Sequence, residues 1–306
     1  MNADLVLLQT ATLFAMAGAV LALSTYVTLW TGLLSFATVV FAAVGAFTAT
    51  WVVTNTELGL GVAILLGTAG GAVLGLVVGR LFRSLSSHWL ALATVAIVLI
   101  TRVFVVNLGE VTGGSGGEVV PATLNLWQMA GLLALVCALM VLLARSKFGV
   151  AAATSREDPA VAAALGVPVS RIHVLAFGLS GGIGALGGIM LATQLSYIGP
   201  DTFFVDLSVT VIASVVLGGA YHWTGSVIGA AVFTGLPVYI SQYITEGQSI
   251  LNGLLLLAII IWLPGGLIDP VRWRRAQEKR RTRRGSPPAR QDQPSSRPVT
   301  DAAVLR

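Results

Sequence analysis

Charged residues are scarce in this chain of 306 residues: 10% are Asp, Glu, Lys or Arg, whereas 56% are hydrophobic. An average soluble domain has about a quarter of its residues charged. A chain with so little charge cannot cover a water-facing surface of this size. It offers instead one apolar stretch of about 20 residues after another, which is the length of a helix that crosses a bilayer. The composition therefore predicts an all-α, polytopic bundle of transmembrane helices.

Residues that bind metals or nucleotides are also few. The single cysteine, Cys137, excludes an internal disulfide bond. The three histidines, His88, His173 and His222, do not have the spacing of zinc ligands. Neither of the two lysines stands in the Gly-x-x-x-x-Gly-Lys-Ser/Thr loop that holds the phosphates of ATP. We therefore expect no metal, no cofactor and no ATP on this chain itself.

The apolar stretches predict about nine membrane spans. The first two share a charge-free stretch interrupted only by Ser24, Thr25 and Thr31, so one of the two is a candidate for a broken or re-entrant helix. The seventh is short for a full crossing. The predicted spans are Leu5–Val27, Leu29–Val53, Leu58–Gly79, His88–Leu108, Leu124–Ala144, Ile172–Tyr197, Leu207–Gly219, Val227–Ile244 and Ile250–Leu263.

The basic residues indicate the orientation of these spans. Lys and Arg concentrate in cytoplasmic loops. With the C-terminal tail inside, 17 of the 18 basic residues fall in inner segments, and the last, Arg102, lies within the fourth span. The predicted outer segments contain acidic residues and no Lys or Arg. The distribution predicts an outer N-terminus and an inner C-terminus.

The longest inner connection before the tail, about residues 145–171, contains the signals of a short helix. Ser155-Arg-Glu-Asp-Pro159 precedes an Ala-rich stretch, and Gly166-Val-Pro168 follows it. A polar start with acidic residues, an Ala-rich body and a terminal Gly are the usual start and stop signals of a helix. We interpret it as a docking element on the cytoplasmic face; the alternative is an ordinary interfacial loop helix.

Residues 272–306 differ from the rest of the chain. This segment contains 11 of the 18 basic residues together with Pro, Ser and Gln, which is typical of disorder. A basic segment beside a membrane helix is attracted to anionic lipid at about 1 kcal/mol per basic residue. We expect a disordered, lipid-bound cytoplasmic tail and no nucleic-acid binding.

One short motif favours a different function. Gly178-Leu-Ser180-Gly181 and the stretch from His222 to Gly229 match the motifs that carry the Ser–His dyad of rhomboid intramembrane proteases. The His-x-x-x-Asn pattern that this family uses near its oxyanion site is missing. Glycines at four-residue spacing also occur simply because they let membrane helices pack closely. Ser180 and His222 therefore remain the candidates of a minor alternative.

A set of segments in a fixed order resembles the permease subunits of branched-chain amino acid ABC importers. The similarity covers essentially everything before the tail. The segments that carry it are Gly45-Ala-Phe47, His88-Trp-Leu-Ala-Leu-Ala-Thr94, Thr112-Gly-Gly-Ser-Gly-Gly117, Arg145-Ser-Lys-Phe-Gly149, Arg156-Glu-Asp158, Ala162-Ala-Ala-Leu-Gly166, Ala176-Phe-Gly-Leu-Ser180, Ser208 to Gly219 and Leu263-Pro-Gly-Gly-Leu267.

This resemblance implies a transport subunit rather than an enzyme, in the plasma membrane of a bacterium or archaeon. Residues 1–271 would form the permease domain. The implied partners are ABC ATPase subunits, a second permease subunit that is identical or different, and an extracytoplasmic substrate-binding protein. The implied ATPase-coupling residues are Arg156, Glu157, Asp158, Ala162, Leu165 and Gly166.

The resemblance also implies a substrate class: branched-chain amino acids or a related small polar metabolite. Three departures bear on the substrate more than on the fold. Ala160 stands where the general importer pattern has Glu, Leu99 stands where the family often has Glu, and the Gly-Gly-x-Gly motif reads Gly218-Gly-Ala-Tyr221.

Hydrogen-bonding residues in apolar spans are candidates for the substrate pathway: Ser35, Thr38, Thr94, Thr101 and Arg102. The alternative is that each Ser or Thr bonds to the backbone of its own helix. Arg102 lies near the outer end of its span, where its side chain could reach the interface or pair with Glu110. A stand-alone secondary transporter or channel is the second function considered, although the sequence shows no clear inverted repeat and few buried acids.

Overall fold

The computed structural model describes residues 3–219 and 222–240, which belong to one compact unit, Met1–Ile268. The regular elements among these residues are helices, apart from one two-stranded sheet. The elements in chain order are α1 (Ala3–Trp30), α2 (Thr38–Asn55), α3 (Leu60–Leu81), α4 (Ser87–Asn107), α5 (Gly109–Thr112), a 3-10 turn (Gly114–Gly116), β1 (Glu118–Val119), α6 (Leu126–Arg145), α7 (Lys147–Glu157), α8 (Pro159–Ala164), α9 (Val169–Leu195), β2 (Tyr197–Ile198), α10 (Val205–Gly218), α11 (Trp223–Ala230), a π turn (Ala231–Gly235) and α12 (Leu236–Ile240).

Within residues 3–219 and 222–240, six helices, α1 to α4, α6 and α9, are long and apolar enough to cross a membrane. They confirm the first six predicted spans to within a few residues, except that α2 begins at Thr38 and not at Leu29. The predicted seventh span coincides with the apolar helix α10, which has 14 residues and a length of about 21 Å. That α10 crosses the membrane stays a prediction. Helices α11 and α12 contain the start of the eighth. The rest of that span, the ninth span and residues 272–306 lie outside the described residues.

The connection between α1 and α2, residues 31–37, is not helical. Two of its backbone amides donate to side chains of α4: Leu34 donates to Ser87 Oγ at 3.2 Å, and Phe36 donates to Thr94 Oγ1 at 3.1 Å. Irregular backbone is tolerated among membrane helices only when protein groups or a water-filled cavity satisfy it. The predicted soft boundary between the first two spans is therefore a non-helical break that side chains of α4 help to hold.

Helices α2, α3 and α9 form the tightly packed centre of the bundle. One face of α3 carries buried glycines at four-residue spacing: Gly67, Gly71, Gly75 and Gly79. A methyl group on Gly71 would lie 2.6 Å from the carbonyl oxygen of Gly181 in α9, and one on Gly67 would lie 2.8 Å from the carbonyl oxygen of Gly45 in α2. The helices thus meet backbone to backbone, which only residues without a side chain permit.

One end of the bundle, here called the sheet end, contains the connections that follow α4 and α9. Strands β1 and β2 pair antiparallel, with Glu118 opposite Ile198 and Val119 opposite Tyr197. The Tyr197 hydroxyl donates to the carbonyl oxygen of Gly116 at 2.7 Å. The C-terminal ends of α4 and α9 therefore lie on the same side of the bundle.

The opposite end, here called the α8 end, contains α7, α8 and the start of the α1–α2 break. A methyl group on Gly32 would lie 3.2 Å from Cα of Arg156 in α7. The ring of Trp30, at the end of α1, meets Phe148 of α7 edge-on at 6.1 Å. Helices α1 and α6 thus end on one side, and α4 and α9 end on the other. This alternation is the one that the charge distribution predicts.

Candidate functional site

Helix α8 begins at a side-chain cap. The Asp158 carboxylate accepts hydrogen bonds from the backbone amides of Ala160 at 2.8 Å and Val161 at 3.1 Å. Pro159 occupies the first helical position, where its missing amide proton and fixed φ are favourable. The cap satisfies amides that a free helix end leaves exposed. The helix start predicted from the sequence is confirmed.

Gly166 ends α8 in the left-handed region, with φ of +84°. The amide of Gly166 donates to the carbonyl oxygen of Ala163, and the amide of Val167 donates to that of Ala162, both at 3.0 Å. These two bonds form a Schellman motif, which favours glycine because other residues are strained at positive φ. The residues at its two ends therefore define α8 as a short, rigid helix of six residues.

The two faces of α8 differ in exposure. Ala162 is fully buried against the bundle, whereas Val161 is 54% exposed and Leu165 is 72% exposed. Val161 and Leu165 are four residues apart and therefore share one face of the helix. Two exposed apolar side chains therefore lie side by side on a short, doubly capped helix, and a docking role for them stays a prediction.

The predicted coupling residues fall on both sides of this unit. Glu157, Asp158, Leu165 and Gly166 are exposed, Arg156 is half-buried, and Ala162 faces inward. Arg156 also interacts electrostatically with Tyr26 of α1. The sequence reasoning missed Val161, although its spacing from Leu165 in an Ala-rich stretch is a visible signal. It also missed that residues 147–157 form a helix of their own, α7.

Helix α7 is bonded to α9 through a buried serine. Ser155 is fully buried, and its Oγ lies 3.2 Å from Nε2 of His173. The imidazole of His173, which is half-buried, also lies close to the backbone of Thr31. Three elements thus meet at one ring: α7, α9 and the end of α1.

Four of the five predicted pathway residues, the three described here and Thr38, form hydrogen bonds within the protein. Ser35 Oγ accepts from the amide of Ala37 at 3.1 Å, and Thr94 Oγ1 bonds to the backbone of the break. Thr101 donates to the carbonyl oxygen of Ile97 in its own helix. Their part in a substrate pathway stays a prediction.

Thr38 belongs to a buried hydroxyl cluster between α1, α2 and α9. Thr38 Oγ1 lies 2.8 Å from Thr25 Oγ1, and Ser24 Oγ lies 3.0 Å from Ser180 Oγ. Ser24 also donates to the carbonyl oxygen of Ser180 at 2.8 Å. Hydroxyl groups buried in this way join helices, since each finds its partner within the protein.

Arg102 pairs with a residue that the sequence reasoning did not name. Its guanidinium lies 2.7 Å from the Asp201 carboxylate and 4.8 Å above the centre of the Phe204 ring. The suggested partner Glu110 is therefore wrong; the partner is brought in by the connection after β2. The Arg102 side chain is 45% exposed and the Asp201 side chain 74%, so water screens the pair and it contributes little stability.

Ser180 and His222 have separate partners. Ser180 is buried and bonds to Ser24, whereas His222 is exposed and its Nδ1 lies 2.6 Å from Thr224 Oγ1. A hydrolytic dyad needs a direct hydrogen bond between the two side chains and access for water. The described contacts of neither residue include the other, so the geometry does not favour the protease alternative.

Glu118 lies in β1 at the sheet end. Its Oε2 atom is buried and has no hydrogen-bond partner among the described residues. Burial raises the pKa of this carboxyl group above its ordinary value, because a charge is disfavoured where water is excluded.

The described part of the chain has six long apolar helices, with an exposed capped helix at one end and a small sheet at the other, and this defines a multi-pass membrane protein. Comparison with known families gives the particular class. The family described as "Branched-chain amino acid transport system / permease component" matches residues 7–261. The chain therefore belongs to this family of ABC importer permeases.

Individual relatives differ in what their names say they carry. The high-affinity branched-chain amino acid permease LivM of Salmonella typhimurium is 29% identical over 269 residues, which is 76% of this chain and 63% of LivM. The xylose/arabinose import permease XylH of Sulfolobus acidocaldarius is 33% identical over 44% of this chain and 34% of its own length. The autoinducer 2 import permease LsrC of Salmonella paratyphi B is 32% identical over 62% of this chain and 55% of LsrC.

The chain thus spans just under two thirds of the length of the LivM relative. No solved structure matches the chain significantly.

Proposed function

We propose that this chain is the membrane-spanning permease subunit of an ATP-driven importer, and that it couples to a separate ATPase through α8. The observation that carries the proposal is the exposed pair Val161 and Leu165 on a doubly capped helix of a permease-family chain. Capping fixes the pair before any partner arrives, and a preorganised contact loses less entropy on binding.

The charge distribution supports a cytoplasmic position for α8. The connection around it contains Arg145, Lys147, Arg156 and Arg171, whereas the described segments of the sheet end contain acidic residues. The substrate-binding protein would then dock at the sheet end. The basic tail, residues 272–306, would be attracted to anionic lipid.

The proposed partners follow from this arrangement and from the family. They are ABC ATPase subunits on α8, a second permease subunit that completes the pore, and an extracytoplasmic binding protein. The proposed cargo is a branched-chain amino acid or a related small polar metabolite, in the plasma membrane of a bacterium or archaeon. The names of the relatives extend to sugars and autoinducer 2, so an uptake panel should include these classes.

The test exchanges one exposed side chain at each end of the bundle. Leu165→Glu should lower co-purification of the ATPase about tenfold or more, because a charge would be buried without a partner in the interface. Val119→Glu is the matched control: Val119 is 69% exposed, but it lies at the sheet end. It should leave the ATPase bound. Full ATPase binding and uptake with Leu165→Glu would refute the proposal.

Asp158 is a poor probe of the contact itself, because its carboxylate caps α8. Asp158→Asn keeps a capping side chain and removes the charge, whereas Asp158→Ala removes both. Glu157 is exposed and does not cap the helix, so Glu157→Gln tests its charge alone. Loss of binding with Asp158→Ala but not Asp158→Asn would assign Asp158 to the helix rather than to the partner.

A further inference from the structure

Side chains of two other helices, α4 and α10, bond to the break between α1 and α2. Ser87 and Thr94 of α4 accept from its amides, and Ser208 of α10 donates to the carbonyl oxygen of Phe36 at 3.5 Å. The amides of Thr31, Gly32 and Leu33 still bond to carbonyl oxygens of α1, whereas those of Leu34, Phe36 and Ala37 bond only to hydroxyl groups. The second half of the break therefore lacks the regular backbone bonds that stiffen a continuous helix.

The α7–α8 unit contacts this break directly. Gly32 has φ of +86°, and a methyl group there would lie 3.2 Å from Cα of Arg156. One residue earlier in each segment, Ser155 bonds to His173, whose ring lies close to the backbone of Thr31. The contact of Arg156 with Gly32, and the position of the bonded His173 ring beside Thr31, together connect α7 to the first residues of the break.

Helix α8 is joined to α7 without a flexible linker. Asp158 is both the residue after α7 and the cap of α8, so the two helices share a boundary. A force on the exposed face of α8 is therefore delivered to α7, and packed elements of this kind move as units.

We propose that His173 is a positioning residue that links the α7–α8 unit to the α1–α2 break, through its bond to Ser155. The proposal rests on the proposed function, since it names the route by which ATPase movement reaches the membrane spans. Without the bond, the ATPase still binds α8 and hydrolyses ATP, but its movement is passed less effectively to the break.

The two ring nitrogens of His173 can be tested separately by amide substitution. The Gln side-chain amide lies close to the place of Nε2, so His173→Gln can keep the bond to Ser155. The Asn amide lies close to the place of Nδ1, so His173→Asn loses that bond. Ser155→Ala removes the same bond from the other side. The neighbouring Thr154→Ala is the control, because Thr154 donates only to the carbonyl oxygen of Val150 in its own helix.

The readout is the stimulation of ATP hydrolysis by the substrate-loaded binding protein, measured on the complete transporter in liposomes, together with uptake. We expect Ser155→Ala and His173→Asn to lower the stimulation about fivefold or more while ATPase association and basal hydrolysis are retained. We expect His173→Gln and Thr154→Ala to stay within about twofold of the unchanged transporter. A purely structural role would lower assembly and both hydrolysis rates in proportion.

A double variant, Ser155→Ala with His173→Asn, separates one shared bond from two independent effects. If the bond is the link, the double variant is no worse than either single variant. Stimulation unchanged in both single variants, or effects that multiply in the double variant, would overturn the proposal. Failure of the proposed function is distinguishable, because the unchanged transporter would then show neither ATPase association nor ATP-dependent uptake.

Discussion

Helices α3 and α6 have similar lengths and similar hydropathy, but they pack in different ways. Helix α3 meets α9 through a row of glycines, backbone against backbone. Helix α6 leans on α1 through side chains, with Met129, Val136 and Met140 buried and the rest of its surface largely open. Hydropathy predicts both helices equally well. The row of glycines, which α3 has and α6 lacks, explains why α3 rather than α6 packs at the centre of the bundle.

The physical reason is that lipid is as apolar as the helix surface. Association in a membrane therefore depends on close contact rather than on escape from water. Glycines on α3 bring peptide groups of two helices together over about three turns. Side chains on α6 reach α1 one at a time, so each contributes separately.

The largest expected effect is at the glycine row. Gly75→Leu should lower the yield of folded, monodisperse protein roughly tenfold, because Gly75 touches the backbone of Phe177 and a backbone cannot move aside for a side chain. Gly131→Leu in α6 is the matched control, since no atom lies within 4 Å of the position of its Cβ. Size-exclusion chromatography in mild detergent measures both variants.

Equal yields of Gly75→Leu and Gly131→Leu would contradict the proposed difference between α3 and α6. The contrast between backbone packing and side-chain packing would then have no consequence for stability.

A smaller effect is expected where α6 leans on α1. Met140→Ala should lower the free energy of unfolding by about 1–2 kcal/mol, because it leaves a cavity beside α1 while the rest of α6 stays in place. Leu142→Ala should change it by less than about 0.5 kcal/mol, since Leu142 is exposed. Thermal unfolding in detergent compares the two, and equal losses would contradict the packing assigned to α6.

Gly166 differs from the glycines of α3. Position 166 requires glycine because of its backbone conformation, not because a neighbouring helix leaves no room for a side chain. It has φ of +84° and open space around its Cβ position. Gly166→Ala should destabilise the end of α8 by about 1 kcal/mol and weaken ATPase binding about fivefold. Gly131→Ala, in a helix with open space, should bind the ATPase normally. Unchanged binding with Gly166→Ala would show that the end of α8 does not matter for docking.

The smallest effect is expected at Glu118. Its pKa is raised in the folded protein, so the folded state binds the proton more tightly than the unfolded state. The protonated Glu118 carboxyl group therefore stabilises the folded protein at pH values below its ordinary pKa of 4.5. This stabilisation is lost as the pH rises through the raised pKa of the folded protein. Glu118→Gln should therefore raise the unfolding temperature slightly at pH 7 and leave it unchanged below about pH 4. A decrease at pH 7 would contradict this assignment.

The sequence predicted those features of the structure that depend on residues close together in the chain. Apolar stretches marked the first six spans, and the series Asp158-Pro159 to Gly166 marked both ends of α8. Contacts between residues far apart in the chain were not predictable in this way. The bonds of Arg102 to Asp201 and of Ser155 to His173 depend on how α4, α7 and α9 lie beside each other. No local pattern records that arrangement.

The most direct test of the central claim is to label the two ends of the bundle from each side of the membrane. Cys137→Ala removes the only cysteine, after which Leu165→Cys and Val119→Cys each provide one exposed thiol. A membrane-impermeant maleimide should label position 119 in intact cells and position 165 only after the membrane is opened. Labelling of position 165 in intact cells would contradict the sidedness of α8 and the coupling that depends on it.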